Sequence, residues 1–248
     1  MIEVVAADWP APPQIRAIQT TRVGGVSGGA YDSLNLGSNT GDDPAAVRAN
    51  RQHLREGLKL LAEPCWLRQV HGTRVVDAAQ CVAEAPAADA SETTAHDVVC
   101  AVLTADCLPV LLCADDGSWI GAAHAGWRGL VAGVLEAVVA RSGLPPSRLL
   151  AWFGAAIGPA HFEVGPEVRD AFVAAQADAR AAFRAGRDDR WHADLYALAR
   201  LRLQRAGVQH IYGGGLCTYA DAVRFYSFRR EPDTGRMATL IWRAALPD

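Results

Sequence analysis

Several features are missing from this 248-residue chain, and each absence removes a class of function. No apolar run is long enough to cross a bilayer, and the opening MIEVVAADWPAPPQ carries acids where a secretory leader needs Lys or Arg. A cytoplasmic protein without a membrane partner is expected. Basic residues are not in excess: 24 Lys and Arg stand against 27 Asp and Glu, so no nucleic-acid-binding surface is expected. No Gly-Lys-Ser/Thr ends the glycine-rich VGGVSGG (23–29), which is therefore not a phosphate loop of the nucleotide-triphosphatase kind, and it does not match G-x-G-x-x-G. None of the seven histidines stands in a His-x-His pair, the arrangement that commonly feeds multicopper centres, so copper is disfavoured.

Half of the residues are hydrophobic and 21% are charged, enough apolar material for a sizeable core. The six cysteines are scattered without Cys-x-x-Cys pairs, and a chain of this size does not need disulfide staples, so reduced thiols are expected. Cys100 and Cys113, inside Val- and Leu-rich runs, read as core. Strands are predicted at 15–21, 64–70, 73–78, 97–105, 108–114, 118–125, 149–157 and 237–242. Helices are predicted to start at Asp43-Pro44, at Gly126-Trp127 (running to Gly143), at Gly165-Pro166 and at His192-Ala193-Asp194 (running to Gly207). The Ala-rich stretch from Ala78 to Ala95 reads as a connecting segment or short helix. Hairpin-like succession at 97–125 mixed with helix-separated strands predicts a mixed α/β fold in a single domain, 1–248.

Three predicted strands end on a chemically capable residue: His71 in QVHG, Cys107 in ADCLPVLL and His124 in HAGWRG. Their separations are too wide for a local zinc knuckle, so only the fold could bring them together. Each alone has an ordinary structural explanation. Each also stands where an apolar strand gives way to Gly or Pro, the place where side chains project into clefts. Together they are core filling, a nucleophile with its base, or two His and one Cys of a catalytic metal site with a fourth position left for water.

The motifs QVHG, TADCLPVLL, HAGWRG, AAIGPAHFEVG and CTYADAVRFYSFRRE…TGRMATLIW, with the N-terminal TTRVGGVSGGAYDSLNLGSNTGDDPAAVRANR, closely resemble the YfiH-type family. Its members are variously called laccase-domain proteins, polyphenol oxidases, purine nucleoside phosphorylases and peptidoglycan editing factors. The likeness runs through almost the whole chain, in order. It implies a four-layer α/β/β/α sandwich and a zinc site whose ligands are His71, Cys107 and His124. This chain has AHFEVG (160–165) where many relatives read CCYEVG, so no cysteine there can take part in chemistry.

Around the glycine-rich segment stand Arg22, Ser27, Ser33, Asn35, Arg48 and Arg51, cations and hydroxyls suited to phosphate or sugar oxygens. Arg51 in ANR and Ser33 in SLNLG are the stronger candidates, followed by Arg22 and Asn35; Arg48 fits equally a solvated helix face. Arg128, beside His124, could neutralise an anionic substrate or make a surface ion pair, and Trp127 reads as packing. Asp106 could orient a ligand or cap a strand, and Glu163 could be a general base or hold its loop.

The resemblance implies phosphorolysis of adenosine, inosine, guanosine and methylthioadenosine together with hydrolytic deamination of adenosine, with nucleosides and phosphate as partners. A water made acidic by zinc would account for attack at C6. Phosphorolysis further needs phosphate held near C1′ and stabilisation of the departing base. An alternative keeps Cys107 as a thiolate nucleophile with His124 as base, hydrolysing an amide or acyl bond in a peptidoglycan precursor. The two are exclusive, because a thiolate held on zinc is not free to attack. A copper polyphenol oxidase ranks below both, and a structural zinc module would need a fourth protein ligand.

Overall fold

A computed structural model describes residues 2–81 and 85–244. Alternation along the strands explains its layers. In β6 (Leu108–Ala114), Leu108, Val110 and Leu112 point to one cluster of buried side chains while Leu111 and Cys113 point to another, so the strand is covered on both faces. It lies inside a six-stranded mixed sheet with β3 (Val75–Asp77), β4 (Ala90–Thr93), β7 (Ile120–Ala125), β8 (Leu149–Phe153) and β12 (His210–Gly213), ordered β12-β8-β6-β7-β4-β3. One face packs on α2 (Trp127–Ala132), α3 (Val134–Arg141), α4 (Pro166–Ala175) and α5 (Leu195–Arg205) through Leu130, Val134, Val138, Phe172 and Leu198.

The other face packs on a four-stranded antiparallel sheet, β1 (Val4–Ala6), β2 (Ile15–Thr20), β13 (Met237–Arg243) and β5 (Val99–Thr104), ordered β1-β2-β13-β5. Cys100 and Val102 of β5 face inward to Leu111 and Ile120, while Val99 and Ala101 face outward to Leu54 of α1 (Pro44–Gly57). The order is thus helix, sheet, sheet, helices, the expected four layers in one mixed α/β domain. A small sheet of β9 (Glu163–Val164), β10 (Phe183–Ala185) and β11 (Trp191–Ala193), ordered β10-β11-β9, is not hydrogen-bonded to the two large ones but packs Val164, Phe183 and Ala193 into the helix-side core.

Several expectations are corrected. Residues 64–70 form no strand: only isolated bridges occur at Cys65 and Arg68, and the side chain of Gln69 takes both backbone bonds of Leu103, donating to its carbonyl and accepting from its N–H at 2.8 Å each. The helix expected from Gly126 to Gly143 breaks at Gly133, whose φ of +103° is a left-handed conformation open to glycine. The strand expected at 149–157 stops at Phe153. His192 and Ala193 belong to β11, and Asp194 caps α5 by accepting from the Ala197 N–H. Within the Ala-rich stretch, residues 82–84 lie outside the described ones, but Ala90–Thr93 is a buried strand, β4, pairing β7 antiparallel and β3 parallel. Cys65 and Cys81 are paired as a disulfide, against the expectation of reduced thiols throughout. Cys100 and Cys113 are free and buried, and burial pushes both thiols up to about 12.

Candidate metal centre and cavity

The antiparallel register of β6 and β7 pairs Leu108 with Ala125 and Pro109 with His124, which places Cys107, just before β6, beside the end of β7 where His124 stands. The turn carrying His71 closes against them, and the ligand atoms of His71, Cys107 and His124 lie within 4.8 Å of one another. Cys107 Sγ is 3.8 Å from His71 Nε2, and the two imidazole rings meet edge to face with centroids 4.8 Å apart. Gly126 makes room: a Cβ there would sit 2.7 Å from His71 Cδ2 and 3.1 Å from Cys107 Sγ. Gly129 admits the same turn, since a Cβ on it would come 2.8 Å from the Gly72 carbonyl.

The carboxylate that orders this corner is Asp89, fully buried just ahead of β4. Its Oδ1 accepts from His124 Nδ1 at 2.9 Å, which fixes the Nδ1–H tautomer and leaves Nε2 as the free donor atom. The same carboxylate accepts from the backbone N–H groups of His71 (2.9 Å), Gly72 (2.7 Å) and Val70 (3.2 Å). Three successive amides can converge on it because His71 adopts a φ of +60°, a left-handed turn that costs about 1–2 kcal/mol in a non-glycine residue and is offset by charge-assisted bonds of about 1.5–3 kcal/mol each. Burial pushes the Asp89 carboxyl up, but the bonds from His124 and the Gly72 amide outweigh it and hold it below the ordinary value. Burial likewise opposes the Cys107 thiolate, yet the charge of His124 and hydrogen bonds from both imidazoles bring the thiol down to about 6. His124 is drawn down by burial and pushed up further by Cys107 and Asp89, so its pKa is raised.

The ligand corner lies in a cavity of about 530 Å³. Residues 37–40, Leu67, Gln69, Ile157 and three aromatic side chains (Trp127, Phe162 and Phe228) wall it, with Arg68, Arg128, Arg229 and Arg236 supplying positive charge. Arg236 is held by the carbonyls of Thr234 and Gly235, and Arg229 by those of His161 and Glu163. Arg128 lies over the Trp127 ring at 4.4 Å.

Of the residues singled out in the sequence, the structure brings His71, Cys107 and His124 together and puts Arg128, Trp127 and Asp106 in the cavity wall. Ser33, Asn35, Arg22 and Arg51 do not line the cavity. Arg51 donates to the Leu36 carbonyl through Nε and Nη2 and stacks over Trp66 at 4.3 Å. Arg22 donates to the carbonyls of Asp32 and Ala222, while Ser33 Oγ accepts from the amides of Gly24 and Gly25. Asn35 Oδ1 accepts from the amides of Gly37 and Arg236, and Ser27 donates to Asp42. Arg48 is exposed on α1. Asp106 turns its carboxylate to Thr218 Oγ1 and the Arg229 amide, both at 2.6 Å, and Glu163 is exposed on β9. Sequence reasoning missed Asp89, hidden in the Ala-rich stretch, and Arg68, Arg229 and Arg236, although the last two sit inside the C-terminal motifs.

A family described as multi-copper polyphenol oxidoreductase laccase matches residues 16–244. The chain is 54% identical over 236 residues to purine nucleoside phosphorylase PA4543 of Pseudomonas aeruginosa (95% of this chain, 96% of that one) and 49% identical over 242 residues to purine nucleoside phosphorylase YfiH of Escherichia coli (98% and 99%). Among solved structures, Neisseria meningitidis protein NMB0706 superposes with a TM-score of 0.95 at 48% identity, covering 98% of this chain and 99% of that one. YlmD from Geobacillus stearothermophilus does so with 0.87 at 32% identity, covering 98% of each.

Proposed function

Since the chain belongs to the laccase-domain family of YfiH-type proteins, whose relatives include named purine nucleoside phosphorylases, we propose that it is a zinc-dependent purine nucleoside phosphorylase. Its substrates are adenosine, inosine, guanosine and methylthioadenosine, and it also deaminates adenosine. The observation that carries this reading is the donor set of two imidazoles and one thiolate in the wall of a cavity of about 530 Å³, a size that suits a nucleoside.

The donors fit zinc: a soft thiolate and two imidazoles are a three-ligand catalytic set, and the Asp89 bond leaves His124 Nε2 available. When bound, zinc supplies Lewis-acid stabilisation of negative charge on the reacting group. The remaining work falls to the chain. Asp89 retains the His124 Nδ1 proton and so keeps both imidazoles oriented, while Trp127, Phe162 and Phe228 form an apolar wall for the purine. Arg68 and Arg128 supply the cationic side at which phosphate is held against the ribose, and Arg229 and Arg236, immobilised by carbonyls, add a fixed positive field. Ser33, Asn35, Arg22 and Arg51 serve the substrate indirectly, by fixing the loop that leads into wall residues 37–40. One cluster of three or more metal-donor residues occurs among the described residues, which suits a single ion better than the several centres of a multicopper oxidase.

A second reading has its own support. Asp89, His124 and Cys107 stand in the order carboxylate, imidazole, thiol, and the depressed Cys107 thiol would suit a nucleophile for a peptidoglycan-precursor hydrolase. Zinc-loaded protein incubated with adenosine or inosine, with and without phosphate, separates the two. Phosphorolysis yields free base and ribose 1-phosphate only with phosphate, and deamination yields inosine from adenosine without it. No product from either nucleoside, together with rapid alkylation of Cys107 in the fully loaded protein, would transfer the assignment to the hydrolase.

A further inference from the structure

A second cysteine–histidine pair lies behind Asp106, outside the cavity wall. Cys217 Sγ is 3.4 Å from His161 Nδ1 and accepts the backbone N–H groups of Gly158 at 3.2 Å and Ala220 at 3.4 Å. Two backbone donors and one imidazole nitrogen therefore meet one sulfur. His161 is itself fixed: its ring stacks on Tyr219 with centroids 4.6 Å apart, its backbone N–H donates to the Gly158 carbonyl, and its backbone carbonyl accepts from Arg229. Gly158 permits the approach, since a Cβ there would press on Cys217 Cβ and Sγ at 3.2 Å each. Both Cys217 and His161 are half-buried, and the bond from the Ala220 amide to the sulfur lies at the exposed side of the pair. The other free thiols differ: Cys100 and Cys113 are sealed in the core, and Cys107 belongs to the metal corner.

We propose that Cys217 and His161 form a thiol site reactive toward hydroperoxides, with Cys217 as the nucleophile and His161 as the proton donor to the departing oxygen. The Cys217 thiol passes its proton to His161 Nδ1 as the sulfur attacks one peroxide oxygen; the S–O bond forms as the O–O bond breaks. Sulfur is oxidised by two electrons to the sulfenic acid, the peroxide is reduced, and the second oxygen leaves as water or an alcohol with the proton from His161 Nδ1. The Gly158 and Ala220 amides, already aimed at the sulfur, remain beside the new sulfenic acid as hydrogen-bond donors.

The test uses the full-length, metal-loaded protein, hydrogen peroxide in slight excess, and dimedone to trap sulfenic acid, with peptide mass spectrometry reading every cysteine. Cys217 is expected to carry the first adduct and to react faster than glutathione in the same tube. His161→Asn should slow that trapping by roughly 100-fold, the lower range of a general acid's contribution, with circular dichroism unchanged. Cys217→Ser should remove the adduct. Trapping of Cys217 no faster than of glutathione, or confined to Cys107, overturns the proposal in the wild-type protein alone, whether or not the His161 variant folds. An unaltered rate in a folded His161→Asn protein overturns the role of the imidazole.

Discussion

The candidate metal corner and the 22–51 region are both rich in polar side chains and use them in opposite ways. Around the glycine-rich segment the polar atoms are consumed by the backbone: Asn50 Nδ2 donates to Ser27 Oγ and to the carbonyls of Ser33 and Asn35, and Arg51 spends its guanidinium on the Leu36 carbonyl. At the corner the order is reversed. Backbone amides and one imidazole N–H all converge on Asp89, and the atoms left over, His71 Nε2, Cys107 Sγ and His124 Nε2, face one another within 4.8 Å. Residue type alone does not distinguish a loop that folds on itself from a site; what does is whether the backbone has already claimed the donor atoms.

Removing a ligand should have the largest effect. His124→Ala or Cys107→Ser is expected to take zinc from about one ion per chain to near none by elemental analysis, and nucleoside turnover to background. Gly126→Ala should come close to that outcome with the fold intact, because its methyl would press on His71 Cδ2 and Cys107 Sγ while its backbone, at φ −63°, accepts alanine; metal content against melting temperature reads the difference. Asp89→Asn keeps all three ligands and should weaken metal binding by roughly 10- to 100-fold in a competitive chelator titration.

The arginines sharpen the contrast between the two regions. Arg128→Ala or Arg68→Ala should cost about 1.5–3 kcal/mol of substrate interaction, roughly 10- to 100-fold in kcat/KM for phosphate, without loss of zinc. Arg51→Ala should instead lower stability by about 1–3 kcal/mol in a denaturant titration while kcat/KM per folded molecule holds. A Arg51 variant of normal stability with a raised KM for phosphate would move the substrate into the glycine-rich region. The smallest effect is on pH dependence. In metal-stripped protein, Cys107 has its thiol depressed to about 6, so its alkylation by iodoacetamide should fall about tenfold from pH 7 to pH 5 as the thiolate is protonated. An ordinary thiol would show its main rise near pH 9 instead.

The mixed α/β class was legible because hairpin-like strands in 97–125 leave local marks, as do the strand ends that turn to Gly or Pro at His71, Cys107 and His124; the four layers, and the reading of those three residues as one metal-binding set, come instead from the resemblance to the YfiH-type family. Asp89 left no such mark. It sits among small residues in a stretch without apolar periodicity, and β4 is a strand because β7 and β3 flank it, an effect of tertiary context on a sequence with little preference of its own. The 64–70 segment misled in the other direction, since its apolar residues pattern like a strand while Gln69 satisfies Leu103 with a side chain in place of a ladder. Arg51 and Ser33 have the chemistry of phosphate ligands, and nothing in their spacing shows that the Leu36 carbonyl and the amides of Gly24 and Gly25 occupy them.

The position of Asp89 also sets a timetable. It belongs to the lead-in of β4, and its own carbonyl accepts the His124 N–H at 2.7 Å, so its carboxylate reaches the His124 ring only once β4 has zipped alongside β7. The same carboxylate gathers the amides of residues 70–72, which lie 17 to 19 positions earlier in the chain. Ion capture during refolding therefore reports on the pairing of β4 with β7: a metal-sensitive dye in a stopped-flow refolding experiment should not give up its zinc to the protein before the amides of β4 become protected from hydrogen exchange.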